Sequence, residues 1–316
     1  MQIDPVVLFF LLGLAAGIAK SDLKLPSALY DTLSVFLLLA IGIKGGLVLA
    51  KQPLLEILPQ AALVIVMGFI LPLLAYPILR VKLAQADAAS VAAHYGSVSV
   101  VTFAVGVAYL TRLGVEYESQ STLFLVLLEM PALIVGVLLA RLGGKEGQGK
   151  KASGHAWGKL MHEILLGKSM VLLMGGLLIG WFAGPEGIKP VDKLYLDLFK
   201  PVLTLFLLEM GLVVAGKIGV LRQQGVFILA IGIAIPLVFS WIGIGFGLMM
   251  GLSLGGLTLL ATLAASASYI AAPAAMRMAV PQANPALSLG AALGITFPFN
   301  LLVGIPLYYQ FAAAVA

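Results

Sequence analysis

Two stretches decide the fold: AAHYGSVSVVTFAVG at residues 92–106 and LAASASYIAAPAAMR at 263–277. Each lies in an apolar run of membrane-spanning length, yet each places small hydroxyl residues near mid-span. Gly96 loosens the first helix and Pro273 removes an intrahelical hydrogen bond from the second, so each span is predicted to break into two half-helices. Broken helices at membrane depth satisfy their freed backbone groups by lining a cavity. Half-helix N-termini there offer N–H groups and a positive dipole end to an anion. The predicted substrate site therefore places Gly96, Ser97, Val98 and Ser99 opposite Ser266, Ala267, Ser268 and Tyr269. The competing reading of the same Gly, Ala and Ser residues is close helix packing.

The surrounding composition demands a bilayer. The chain has 316 residues, 61% hydrophobic and only 10% charged, whereas soluble domains carry about 25% charged residues. A cytosolic enzyme, a nucleic-acid binder and a disordered chain are excluded together. The absence of cysteine excludes disulfides, thiolate metal sites and cysteine catalysis. Apolar runs near 5–19, 28–50, 54–79, 86–111, 120–142, 168–184, 192–216, 223–250, 254–279 and 285–312 predict ten transmembrane helices. The first lacks the basic flank and cleavage site of a signal peptide and is read as a helix.

The cations set the orientation. With the N-terminus outside, inside loops hold Lys20, Lys24, Arg80, Lys82, Arg141, Lys145, Lys150, Lys151, Lys159, Lys168, Lys217, Arg222 and Arg277; outside loops hold Lys51, Arg112, Lys189, Lys193 and Lys200. This bias predicts both termini outside and the 143–167 loop in the cytoplasm. That loop begins Gly- and Lys-rich and ends as an amphipathic helix, which suits either a linker on the membrane surface or a docking segment.

Folding the chain at that loop overlays its halves, 1–142 and 168–316. GFILP (68–72) matches GIAIP (232–236), GSVS (96–99) matches ASAS (265–268), and MPALIVGVLL (130–139) matches FPFNLLVGIPL (297–307). The offsets are 164, 169 and 167. Five helices per half is odd, so the second half enters the membrane inverted, as in secondary transporters. The expected fold is thus all-α, with ten transmembrane helices in two inverted five-helix repeats.

Few charges lie within spans: Lys44, Glu129 and Glu209, with His94 as a titratable neighbour. Each is costly in hydrocarbon and calls for a partner or a role. Ser99, Thr102, Glu129 and Asn300 form an all-oxygen set suited to a hard cation such as sodium; alternatively Glu129 is protonated and bonded across helices. Lys44 and Glu209, in paired segments, are expected to form a structural ion pair. His94 suits a proton relay or, more simply, a hydrogen-bonded structural role. No HExxH or P-loop sequence occurs, so an enzyme is not expected and no cofactor beyond the coupling ion is called for.

At FLLLAIGIKGG (36–46), HYGSVSVVTF (94–103), LFLLEMGLVVA (205–215), LAASASYIAAPAAMRMAVPQANP (263–285) and TFPFNLLVGIPLYY (296–309), the chain resembles the sodium-dependent bicarbonate permease family of the cyanobacterial high-affinity type. The resemblance implies a gate domain from helices 1, 2, 6 and 7, and a mobile core from helices 3–5 and 8–10. It also implies a homotrimer in the bacterial inner membrane and sodium-coupled bicarbonate uptake by an elevator motion. A regulatory protein of the PII type at the cytoplasmic face is a further implication. Where cyanobacterial members carry a serine-rich SSSDIS run, this chain has SASYIA (266–271). The rival functions are a carrier of another small anion such as a carboxylate, a proton-coupled exporter using Glu129 and His94, and a membrane docking or sensor protein acting through 143–167.

Overall fold

In hydrocarbon each backbone N–H and C=O must find its partner within the protein, so apolar runs of this length fold as helices. The computed structural model describes residues 5–51, 54–142, 162, 166–223 and 225–316, and among these no strand occurs. The helices are α1 (Pro5–Ile18), α2 (Ser27–Leu49), α3 (Leu54–Arg80), α4 (Gln85–Gly96), α5 (Val100–Leu113) and α6 (Ser121–Leu142). Then come α7 (Lys168–Ile188), α8 (Phe199–Gln223), α9 (Gly225–Met249), α10 (Leu254–Ala264), α11 (Ala271–Ala279) and α12 (Pro285–Ala313). Eight helical stretches among the described residues are long and apolar enough to cross a bilayer, with α4 and α5 counted as one. Large apolar side chains such as Leu12, Phe69, Leu73, Phe182, Val226 and Leu229 are exposed around the outside, as lipid-facing surface should be.

Nearly all predicted segments fall on helices, with instructive differences. The seventh is expected from 192; instead, a tight 3-10 turn over Lys189–Val191 and a wide π turn over Lys193–Asp197 precede α8, which starts at Phe199. The sixth kinks at Gly184, whose φ of 61° only glycine adopts freely. Within α12 the turns widen to π geometry over Gly290–Thr296 and Asn300–Gly304. Each of these wide turns lies just before a helical piece that carries a proline, Pro298 or Pro306, and proline cannot donate into the helical ladder. Most of the 143–167 segment lies outside the described residues, and with it the expected docking role and PII-type contact.

Two close-packed helix pairs flank the remainder. α1 lies against α8 and α2 against α7. A side chain at Gly13 would strike the Leu208 carbonyl, and one at Gly211 the Phe10 carbonyl; Gly42 and Gly46 meet the backbone of α7 at Leu173 and Leu177 in the same way. Gly176 and Gly180 return the contact against Leu39 and Ile43. Small residues four apart let helix backbones touch, which in a membrane is a main source of packing attraction. The other helices form two clusters, α3 with α4 and α6, and α9 with α10 and α12. Between these clusters the broken spans cross.

Candidate functional site

The first interruption is short. α4 stops at Gly96, Ser97 turns extended, and Ser99 starts α5 by accepting from the Thr102 N–H at 3.1 Å and the Thr102 hydroxyl at 2.8 Å. This N-cap meets the demand of an otherwise orphaned helix-end amide. In the second span α10 ends at Ala264 and α11 begins at Ala271, with the Ser268 hydroxyl accepting from the Ala272 N–H at 3.1 Å. The breaks bind each other directly. The Ser99 N–H donates to the Ser266 hydroxyl at 2.9 Å, and the Ser268 N–H donates to the His94 carbonyl at 2.8 Å. Every residue from Ala92 to Ser99 and from Ala264 to Tyr269 is buried.

Both residues expected to cause the breaks do something else. Gly96 is packed: a Cβ there would sit 2.6 Å from Pro72 and 2.9 Å from Ala132. It permits close approach of α4 to α3 and α6, and the chain opens only after it. Pro273 lies past the second break, as the third residue of α11, where a missing N–H costs little because first-turn amides have no intrahelical partner anyway.

A small cavity sits at the crossing. Its walls are Val98, Ser99, Val100 and Glu129 on one side, Ser268, Tyr269, Ile270 and Ala271 on the other, and Leu38 of α2. Of the eight predicted substrate residues, Val98, Ser99, Ser268 and Tyr269 line it. Gly96, Ser97, Ser266 and Ala267 do not. Ser266 instead bridges the breaks: its hydroxyl accepts from the Ser99 N–H and is oriented by donating to the Leu263 carbonyl of its own span at 2.8 Å. Replacing Ser266 by Ala strands the buried Ser99 N–H and should cost about 1–3 kcal/mol, read as a lowered midpoint in thermal unfolding of the purified protein. Leu38, Val100, Ile270 and Ala271 escaped the sequence reading; an apolar wall residue has no distinguishing signal within an apolar chain. Tyr269 packs its ring edge-on to Phe297, with centroids 5.2 Å apart.

The predicted cation set divides. Glu129 is buried at 3% exposure, and its Oε2 has no hydrogen-bond partner among the described residues. It shares the cavity with Ser99, to which Thr102 is bonded. Asn300 is engaged elsewhere: its Nδ2 donates to the Ala265 carbonyl at 2.9 Å, and its Oδ1 accepts from the Tyr308 hydroxyl at 2.6 Å. It thereby ties the C-terminal end of α10 to α12. No group of three or more His, Asp or Glu side chains that could hold a metal occurs among the described residues. A site here would rest on one carboxylate with neutral oxygens, which suits a monovalent cation.

The expected Lys44–Glu209 ion pair does not form. The Lys44 ammonium lies over the Phe199 ring, 4.1 Å from its centroid, and Glu209 Oε2 has no hydrogen-bond partner among the described residues. A desolvated cation on an aromatic face gains about 2 kcal/mol, so the ring at the start of α8 takes the role given to the carboxylate.

Apolar helices in this number, an apolar exterior and two buried spans interrupted where they cross define a multi-pass all-α membrane protein. The chain belongs to the Na+-dependent bicarbonate transporter superfamily, whose sequence model matches residues 5–313. No curated protein matches it.

Proposed function

We propose that the protein is a secondary transporter that couples inward sodium to uptake of a small anion, bicarbonate in the first instance, through the cavity where the broken spans cross. The observation that carries this reading is the cavity's composition. Two helix N-termini, at Val100 and Ala271, open beside it, and a buried carboxylate with an unpartnered oxygen stands in its wall. Helix N-termini favour the anion, and Glu129 with Ser99 and Thr102 favours sodium as co-substrate. Asn300 acts one step removed, holding Ala265 and so the geometry of the crossing. Sodium beside the anion balances its charge, which couples the two bindings.

Ten membrane segments in two inverted repeats, the first in 1–142 and the second in 168–316, provide the frame. The close-packed glycines support this: Gly13 and Gly17 of α1 correspond to Gly176 and Gly180 of α7, while Gly42 of α2 corresponds to Gly211 of α8. The pairings exchange accordingly, first helix with seventh segment and second with sixth. These four helices act as the gate, and the two clusters holding the crossing act as the moving core. The cavity has about 10 Å³ of space for the centre of a water-sized sphere, room for a single water. Bicarbonate therefore enters when the crossing slides away from Leu38 on the gate, which is the elevator step. The cation bias places both termini outside the bacterial inner membrane and the Arg80, Arg141 and Arg277 end in the cytoplasm.

Purified protein in proteoliposomes should accumulate labelled bicarbonate when a sodium gradient is imposed, and an equal potassium or proton gradient should not replace it. Excess unlabelled formate or acetate should leave uptake nearly intact. Uptake driven equally well without sodium overturns the coupling, and uptake abolished by a carboxylate reassigns the substrate to that class.

A further inference from the structure

A second hollow, larger than the first, lies on the other side of the α4–α11 contact. Ser90 and His94 of α4, Pro273, Met276 and Arg277 of α11, and Val280, Ala283, Pro285 and Leu289 beyond it line about 70 Å³ of space for a water-sized sphere. That holds several waters, or one small oxyanion. Its mouth is at the membrane end where Gln85 of α4 donates to the carbonyls of Leu139 and Ala140 on α6. The turn that closes it is fixed: the Asp87 carboxylate accepts from the Asn284 N–H at 2.7 Å, and Asn284 caps α12 through the Ala286 N–H at 3.0 Å.

Two polar groups in this cleft are left with bonding capacity to spare. His94 is 1% exposed, and its Nδ1 lies 2.7 Å from the Ser90 carbonyl, while its Nε2 has no hydrogen-bond partner among the described residues. A carbonyl only accepts, so Nδ1 carries the proton, and in the neutral ring Nε2 is left as a bare acceptor. Arg277 is exposed at the mouth and forms no ion pair with a described residue. Ser90 already shares its hydroxyl with Ser288 at 2.8 Å. The cleft thus offers one fixed cation and, deeper, one acceptor that needs a donor.

We propose that this cleft is a second binding site, for a small oxyanion that also carries a hydroxyl: the negative oxygens meet Arg277 and the hydroxyl donates to His94 Nε2. Bicarbonate has this pattern; formate and chloride lack the hydroxyl. The choice of bicarbonate as probe rests on the transport reading above, whereas the cleft's chemistry does not. The site lies on the Arg277 end, beside His94, whose carbonyl bonds the second break, and there it would hold the anion on its way out of or into the crossing.

The chain has no cysteine, so Ala283→Cys in the cleft wall gives a single thiol for the full-length protein in nanodiscs. Its rate of reaction with a membrane-impermeant maleimide is measured against bicarbonate, formate and chloride at constant ionic strength. At ten times the half-protecting concentration, bicarbonate should slow labelling about tenfold by simple occupancy. Adding Arg277→Gln, an exposed change that leaves the fold intact, should raise the half-protecting concentration at least about tenfold, the loss expected for one charge-assisted hydrogen bond. Protection should persist in a Glu129→Gln background, which separates this site from the crossing even if the transport reading fails. Three results overturn the proposal: no protection by bicarbonate, protection unchanged by Arg277→Gln, or equal protection by formate.

Discussion

Glu129→Gln should shift the sodium dependence of uptake to much higher sodium concentrations while leaving the protein folded. The carboxylate is buried in the wall of the crossing cavity with Oε2 unpartnered, so the amide removes charge without breaking a hydrogen bond of that oxygen. On the sodium-coupled reading, replacing the carboxylate by a neutral amide should raise the half-saturating sodium concentration by one to two orders of magnitude, as loss of a charged interaction of about 1.5–3 kcal/mol requires. Thermal stability without sodium should hold or rise, because a charge at mid-membrane costs about 2.5–3.5 kcal/mol on insertion scales. Sodium should stabilise the parent protein but not the variant. A packing role for Glu129 predicts the reverse: lower stability and an unchanged sodium response.

The second large effect belongs to the helix pairs. Gly46→Leu places a side chain against the Leu177 carbonyl, and 2.6 Å from the Trp181 backbone nitrogen. Neither neighbour is the flexible end of a side chain, so α2 and α7 must separate along their length. Overpacking costs about 1–3 kcal/mol in cores that can adjust, and this backbone contact belongs at the upper end. The purified variant should show a clearly lowered unfolding midpoint and little uptake. Gly175→Leu, one residue from the contact and with open space around it, should leave both within error. Equal behaviour of the two variants would remove the close-packed pair from the account.

Why some of this was legible and some was not follows from what apolar sequence encodes. Length and hydropathy locate helices well, since a span must run about 20 residues whatever it touches. The interruptions at Ser97–Ser99 and after Ala264 were legible because runs of small hydroxyl residues recur at matching positions in the two halves. Their cause was misread at Gly96 and Pro273: a glycine needed for contact with Pro72 looks the same in sequence as one that frees the chain. Azimuth was not legible. Lys44 met Phe199 and not Glu209, and Asn300 met Ala265 and Tyr308 instead of Glu129, because uniformly apolar helices carry little amphipathic stripe to say which face looks where. For the same reason Leu38, one leucine among many on α2, could not be marked as a cavity wall. His94 was read as a choice between relay and scaffold; the structure gives it a bonded Nδ1 and an open Nε2 together.

The most direct test is a structure of the full-length protein in nanodiscs with bicarbonate and sodium both present. A planar anion should lie between Ser99 and Ser268–Tyr269, at the N-termini of α5 and α11, with a cation between it and Glu129. A continuous α-helix through 97–99 and 265–270, or an anion bound only away from this crossing, would contradict the account.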